Sequence, residues 1–151
     1  TWNGMMCTPR MMEVQNGHIY FRMHTEADKY LSKEVQNRKD VDYDRPFRVQ
    51  TTLKEGDVLD IGGYRIYVEE DCVKADRSRV FGNRKNYRMV SSTPQLKGSY
   101  GLDIVVDKNL IEIFVNNGEY VISNVVYNLQ RELTGPIEKI LAGWDDENEK
   151  K

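Results

Sequence analysis

The stretch Ile111–Ser123, IEIFVNNGEYVIS, alternates apolar and polar residues on both sides of Asn117-Gly118. A period of two fits a strand that lies on a sheet, and Asn-Gly best tolerates the positive φ a tight hairpin turn needs. The stretch therefore predicts a hairpin pairing Val115 with Tyr120, Ile113 with Ile122 and Glu112 with Ser123. Leu102–Asp107 supplies a third strand. A two-residue connection to Leu110 is preferred, because a four-residue one would set Asp107 opposite Glu112 as a like-charge pair. One face of this meander carries Leu102, Ile104, Val106, Ile111, Ile113, Val115, Tyr120 and Ile122, and must be core. The other carries Asp103, Val105, Asp107, Leu110, Glu112, Phe114, Val121 and Ser123. That mixture suits an outer face, wet or partly covered, with Arg77 or Lys108 as basic neighbours for the carboxylates.

A second Asn-Gly pair, Asn16-Gly17, sits inside Met11–Met23. There Val14 faces Ile19 and Met12 faces Phe21 on an apolar side, while Glu13 faces Tyr20 and Gln15 faces His18 on the other. Between the hairpins, RPFRVQTTL, DVLDIGGYRIYVEED, CVKADRS and NYRMVSS read as short strands separated by Pro, Gly, Asn and Asp. Only 30–37 and 136–141 show brief helical patterns. Many short strands with regular turn signals predict an all-β, two-sheet antiparallel sandwich. No repeat or linker divides the chain, so residues 1–151 form a single domain, with a charged tail at 145–151.

The composition excludes several classes. With 30% charged and 39% hydrophobic residues the chain is neither disordered nor membrane-spanning, and no apolar run approaches the ~18 residues of a span. Twenty-two basic residues against 24 acidic ones give a net charge of −2, so no basic field marks a nucleic-acid partner. Cys7 and Cys72 fit no metal or redox spacing; a single long-range disulfide is one reading, two buried thiols in a reducing compartment the favoured one, and the expected location is the cytoplasm. His18 and His24 complete neither a zinc motif nor a nucleophile triad, and surface or hairpin roles suit them. DIGGYR is a turn between strands, since a phosphate loop would need a helix after it. No metal site, cofactor or catalytic residue is therefore assigned. Asp107 and Glu112 are spaced for a glycosidase pair, but such pairs work at the base of a deep pocket, and these lie on the outer face of a hairpin.

GLDIVVDKNLIEIFVNNGEYVISNVVY resembles the C-terminal sandwich of glycoside hydrolase family 32, the β-fructosidases that include invertases and sucrose-6-phosphate hydrolases. Asp107, Ile111, Glu112, Ile113, Phe114, Asn116, Asn117 and Gly118 match that family's D-R-S-x-(I/V)-E-(I/V)-F-x-N-(D/N)-G, while Lys108, Asn109 and Leu110 depart from it. At the start, Trp2, Gly4, Met6, Pro9 and Arg10 match the segment that links the family's catalytic propeller to the sandwich, with Met11 and Met12 in place of Glu-Leu. Asp76, Arg77 and Ser78 match a strand ending in Asp-Arg-Ser.

The resemblance implies a concanavalin-like jelly roll, with residues 1–10 as the end of a linker from an N-terminal β-propeller on the same polypeptide. The family's catalytic motifs, W-x-N-D-P-N-G, R-D-P and E-C, do not occur in this sequence. The expected role is that of a non-catalytic accessory domain that stabilises the propeller and mediates dimerisation, with the full-length parent as the β-fructofuranosidase. The alternative is a fructan-binding module that grips terminal fructose. Asp76, Arg77, Asp107 and Glu112 supply the residue types for such a site, since carboxylates and a guanidinium hydrogen-bond to adjacent hydroxyls.

Overall fold

A computed structural model describes residues 6–82, 86–98 and 100–145. Trp2 and Gly4 of the linker motif, and most of the charged tail, lie outside the described residues. Thirteen strands are described: β1 (Arg10–Gln15), β2 (His18–Met23), β3 (Leu31–Glu34), β4 (Phe47–Leu53), β5 (Val58–Ile61), β6 (Tyr64–Glu69), β7 (Cys72–Asp76), β8 (Val90–Ser92), β9 (Tyr100–Asp107), β10 (Leu110–Val115), β11 (Tyr120–Val125), β12 (Leu133–Thr134) and β13 (Lys139–Gly143). One short helix, α1 (Thr25–Tyr30), follows β2 and is capped by the His24 side chain, which accepts from the Glu26 amide.

The strands form a six-stranded sheet in the order β11-β10-β9-β4-β13-β3, a five-stranded sheet in the order β12-β5-β6-β7-β8, and the separate pair β1-β2. Every pairing is antiparallel. The two large sheets enclose one apolar core, to which Val49, Ile104, Ile113 and Val115 contribute from one side and Ile61, Ile66 and Val73 from the other. The chain is thus the all-β, two-sheet sandwich that the period-two pattern predicts. Burial follows the alternation where one sheet face is open, as in Tyr64, Ile66 and Val68 of β6. It is continuous in β10, where all six residues are buried. That strand is covered on both faces.

The meander and the first hairpin have the expected registers: Val115 opposite Tyr120, Ile113 opposite Ile122, Asp107 opposite Leu110 across a two-residue loop, and Val14 opposite Ile19. Asn16-Gly17 turns β1 into β2 with both residues at positive φ. The second Asn-Gly behaves differently. Asn116, Asn117 and Gly118 all have positive φ, and a four-residue loop ends at Glu119 in helical geometry. Gly118 has a further reason to be glycine: a Cβ there would lie 2.2 Å from the Phe21 carbonyl oxygen. The turn is pressed against β2, and only a bare backbone fits.

Three expectations are corrected. Residues 30–37 do not form a helix: Tyr30 ends α1, and Leu31–Glu34 joins the sheet edge as β3. Residues 136–141 lead into β13, whose Ile140 lies beside Val49 and faces the core, while Leu141 lies beside Arg48 on the opposite face. Two adjacent apolar residues read as a helical stripe, yet here they fill two covered faces of one strand. The cysteines are both free, with Cys7 exposed and Cys72 half-buried, so neither is the buried thiol expected.

Candidate functional site: a clamped N-terminal segment beside an inverted hairpin

Glu112 projects from the middle of β10 toward the outer face, as the alternation requires, but it is only 1% exposed. Of the two states expected for this face, wet or partly covered, Glu112 has the covered one. The Thr8 amide donates to Glu112 Oε1 at 2.7 Å, and Arg10 Nη2 donates to Oε2 at 2.5 Å. The same Arg10 nitrogen donates to Ser123 Oγ at 2.8 Å, and its guanidinium lies 5.6 Å from the Phe114 ring centroid. Pro9 is fixed as well, since its carbonyl accepts from the His24 amide at 2.8 Å. The basic partner of Glu112 is thus Arg10 and not Arg77 or Lys108. One carboxylate ties the incoming segment to the sheet, and charge-assisted bonds of this kind are about twice as strong as neutral ones.

Two further outward residues of the meander, Val105 and Phe114, are covered too. Val105 and Phe114 pack with Met23 and Leu31, flanked by Ala27 and Val121, into a second apolar cluster beneath the first hairpin and α1. Beside it lies Arg48 of β4, whose Nε and Nη2 donate to the two carboxylate oxygens of Asp103 at 2.6 and 2.5 Å. Its Nη1 donates to Asp28 at 2.5 Å. Burial works against this charge, but the bonds to Asp103 and Asp28 outweigh it and hold the guanidinium above its ordinary pKa. The sequence reading missed this network. Its only sequence signal is Arg48 between Phe47 and Val49, the one charged residue of its strand.

The other residues named for sugar binding are placed apart. Asp107 is exposed at the end of β9. Asp76 closes a turn by accepting from the Ser78 amide at 2.8 Å. Arg77 donates to the Arg88 carbonyl at 3.0 Å and the Val125 carbonyl at 3.0 Å, and stacks over Phe81 with its guanidinium carbon 3.8 Å from the ring centroid. Arg77 therefore ties the five-stranded sheet to the end of β11, while Glu112 faces Thr8 and Arg10. Asp76 and Arg77 are not brought together with Glu112. Among the described residues, no group of three or more His, Cys, Asp or Glu side chains is placed to hold a metal ion. No helix among them is long and apolar enough to cross a membrane.

The hairpin that begins at Arg10 is oriented contrary to expectation for a soluble strand pair. Its polar face turns inward: Arg22 pairs with Glu13 and donates to the Asn117 carbonyl at 3.1 Å, and His18 Nε2 lies 2.6 Å from the Glu119 carbonyl oxygen, with its ring against Tyr120. Its apolar face turns outward, where Met12, Val14, Ile19 and Phe21 are 67, 63, 46 and 39% exposed. A cluster of four large apolar side chains on one exposed face marks a surface meant to be covered.

The geometry agrees with comparisons to known proteins. The family model described as "Glycosyl hydrolases family 32 C terminal" matches residues 24–136. The sucrose-6-phosphate hydrolase from Lactobacillus gasseri superposes with a TM-score of 0.70 at 16% identity, over 89% of this chain and 33% of that one. The exo-inulinase from Aspergillus awamori superposes with a TM-score of 0.60 at 14% identity, over 91% of this chain and 34% of that one. The chain thus spans about a third of the length of these solved structures. No curated protein sequence matches it. The family match covers most of the sandwich, including all three strands of the meander, and so this chain belongs to the C-terminal domain family of the glycoside hydrolase family 32 enzymes.

Proposed function

We propose that this domain is the non-catalytic accessory part of a β-fructosidase, and that it stabilises a catalytic propeller preceding it on the same polypeptide. The observation that carries this reading is the inverted hairpin. Its apolar face is exposed, and it begins at Arg10, the residue that clamps the incoming segment to Glu112. A domain joined ahead of Thr8 would emerge next to that face, with the direction of its linker fixed by the Thr8 and Arg10 bonds. The matched structures, about three times as long as this chain, supply the room for such a domain. Two unpaired cysteines, one of them exposed, suit a reducing compartment such as the cytoplasm.

A second copy of the chain is the competing occupant of the hairpin face, and the two are separable by measurement. The coding sequence just upstream of Thr1 is expected to continue in frame into a domain carrying W-x-N-D-P-N-G. The purified 151-residue chain is expected to hydrolyse neither sucrose nor sucrose 6-phosphate. Hydrolysis that co-purifies with the chain, or an upstream sequence with no such domain, would overturn the accessory-domain reading.

A further inference from the structure

A different part of the surface holds two aromatic rings outward. Tyr30, at the end of α1, is 37% exposed, and Trp144, just past β13, is 41% exposed. Neither is loosely attached. The Trp144 amide donates to the Tyr30 carbonyl at 3.2 Å, and its indole Nε1 donates to Ser32 Oγ at 2.7 Å, which itself donates to the Lys29 carbonyl at 2.5 Å. Tyr30 lies across Gly143 so closely that a Cβ on residue 143 would be 2.5–2.7 Å from the outer end of its ring. The Tyr30 hydroxyl lies near Arg45, which pairs with Asp145, and Asp145 meets Lys33 at 3.8 Å. The Trp144 indole N–H is thus tied back to the protein and the Tyr30 ring is held against Gly143, while both residues stay exposed.

Those ties lead to a groove. Lys33, Arg45 and Asp145 line a cavity of about 400 Å³, as do Glu34, Asp40 and Asp42. Its size falls within the ~300–1,000 Å³ typical of small-molecule sites. The charges are mixed, with four carboxylates against two basic groups, a balance unfavourable to an anion. A carboxylate that already takes one bond from a guanidinium or ammonium keeps lone pairs free to accept from hydroxyls. Fixed aromatic rings with an apolar body and a tied polar end offer the flat surface on which the C–H face of a sugar packs.

We propose that Tyr30, Trp144 and the adjoining groove form a binding site for a neutral oligosaccharide, with the two rings as the platform and Arg45, Asp145 and Lys33 as the hydroxyl-binding rim. Trp144 and Asp145 lie outside the family match, which covers residues 24–136. The inference does not depend on the accessory-domain reading, because a saccharide platform serves a free-standing module equally well. It also differs from the four residues selected from the sequence, none of which lines this groove.

The test is a titration of the labelled 151-residue chain with a short neutral oligofructoside, followed at the Trp144 indole N–H. A saturable shift at millimolar sugar is expected at Trp144, Ser32 and Lys33, and not at Arg77 or Glu112. Affinity is expected to fall about tenfold in Trp144→Ala and to be largely kept in Trp144→Tyr. Gly143→Ala, which pushes the Tyr30 ring aside, is expected to weaken binding with the fold intact by circular dichroism. Absence of a saturable shift, or a shift that survives Trp144→Ala, would overturn the assignment. Tighter binding of fructose 6-phosphate than of the neutral sugar would overturn it as well, as would Trp144 shifts that follow protein concentration in place of sugar.

Discussion

Two hairpins in this molecule are built from the same sequence device and used in opposite ways. In β10-β11 the alternation places Ile113, Val115 and Ile122 in the inter-sheet core, and the polar positions face out. In β1-β2 the alternation is as regular, but His18 and Arg22 face the protein and Met12, Val14, Ile19 and Phe21 face away. Period two tells which residues share a face. It does not tell which face is inside, because that depends on what lies above the strand. Glu112 and Val14 illustrate the two outcomes, a carboxylate that is buried and a valine that is not.

Several measurements sharpen the contrast. The largest effect is expected at the core side of the meander, where Ile113→Ala removes packed methyl groups from a fully buried site and should cost about 2–5 kcal/mol in chemical denaturation. Next comes the clamp. Glu112→Ala leaves Arg10 and the Thr8 amide without their acceptor and should cost about 3 kcal/mol, less than a fully buried pair because the Arg10 side chain is 25% exposed. Hydrogen exchange at the Thr8 amide should accelerate in the same variant. If Glu112→Ala were as stable as the parent, the N-terminal segment would not be held as described.

A smaller effect tests the contact between the sheets. The buried Tyr64 hydroxyl donates to Asn124 Oδ1 at 2.6 Å, and burial raises its pKa well above the ordinary value. A raised folded-state pKa means that the neutral phenol contributes stability fully below the unfolded pKa of about 10, and that this is lost as pH rises past it. Stability should therefore decline above about pH 10, and Tyr64→Phe should flatten that decline while costing about 1 kcal/mol at neutral pH. An alkaline profile unchanged by the substitution would exclude Tyr64 as its source. The smallest effect is expected at the hairpin. Val14→Asp with Ile19→Lys, an opposite-charge pair across the hairpin, should change the stability of the 151-residue chain by under about 0.5 kcal/mol, since exposed sites contribute little on their own.

Much of the fold is legible in the sequence because its information is local. The registers of both hairpins follow from alternation and from two Asn-Gly turns, and the motif around Glu112 points to the family. The environment of Glu112 is not local. Its partners are Thr8 and Arg10, more than a hundred positions earlier, and no spacing rule joins them. The Arg48–Asp103–Asp28 network is hidden for the same reason, being assembled from β4, β9 and α1. Asp76 and Arg77 resemble sugar-binding residues by type, yet one closes a turn and the other ties β7 to the end of β11. Residue type proposes a chemistry, and the third dimension decides whether the atoms are free for it.

The most direct measurement uses a polypeptide in which the proposed catalytic propeller is joined ahead of this sequence, and follows thermal inactivation of the proposed β-fructosidase activity with and without Val14→Asp and Ile19→Lys. If the outward face of β1-β2 supports a catalytic propeller, the double variant should begin with the same kcat/KM and lose activity at lower temperature, although the isolated 151-residue chain is unaffected. Inactivation at the same temperature as the parent would contradict the docking of that face against a catalytic domain.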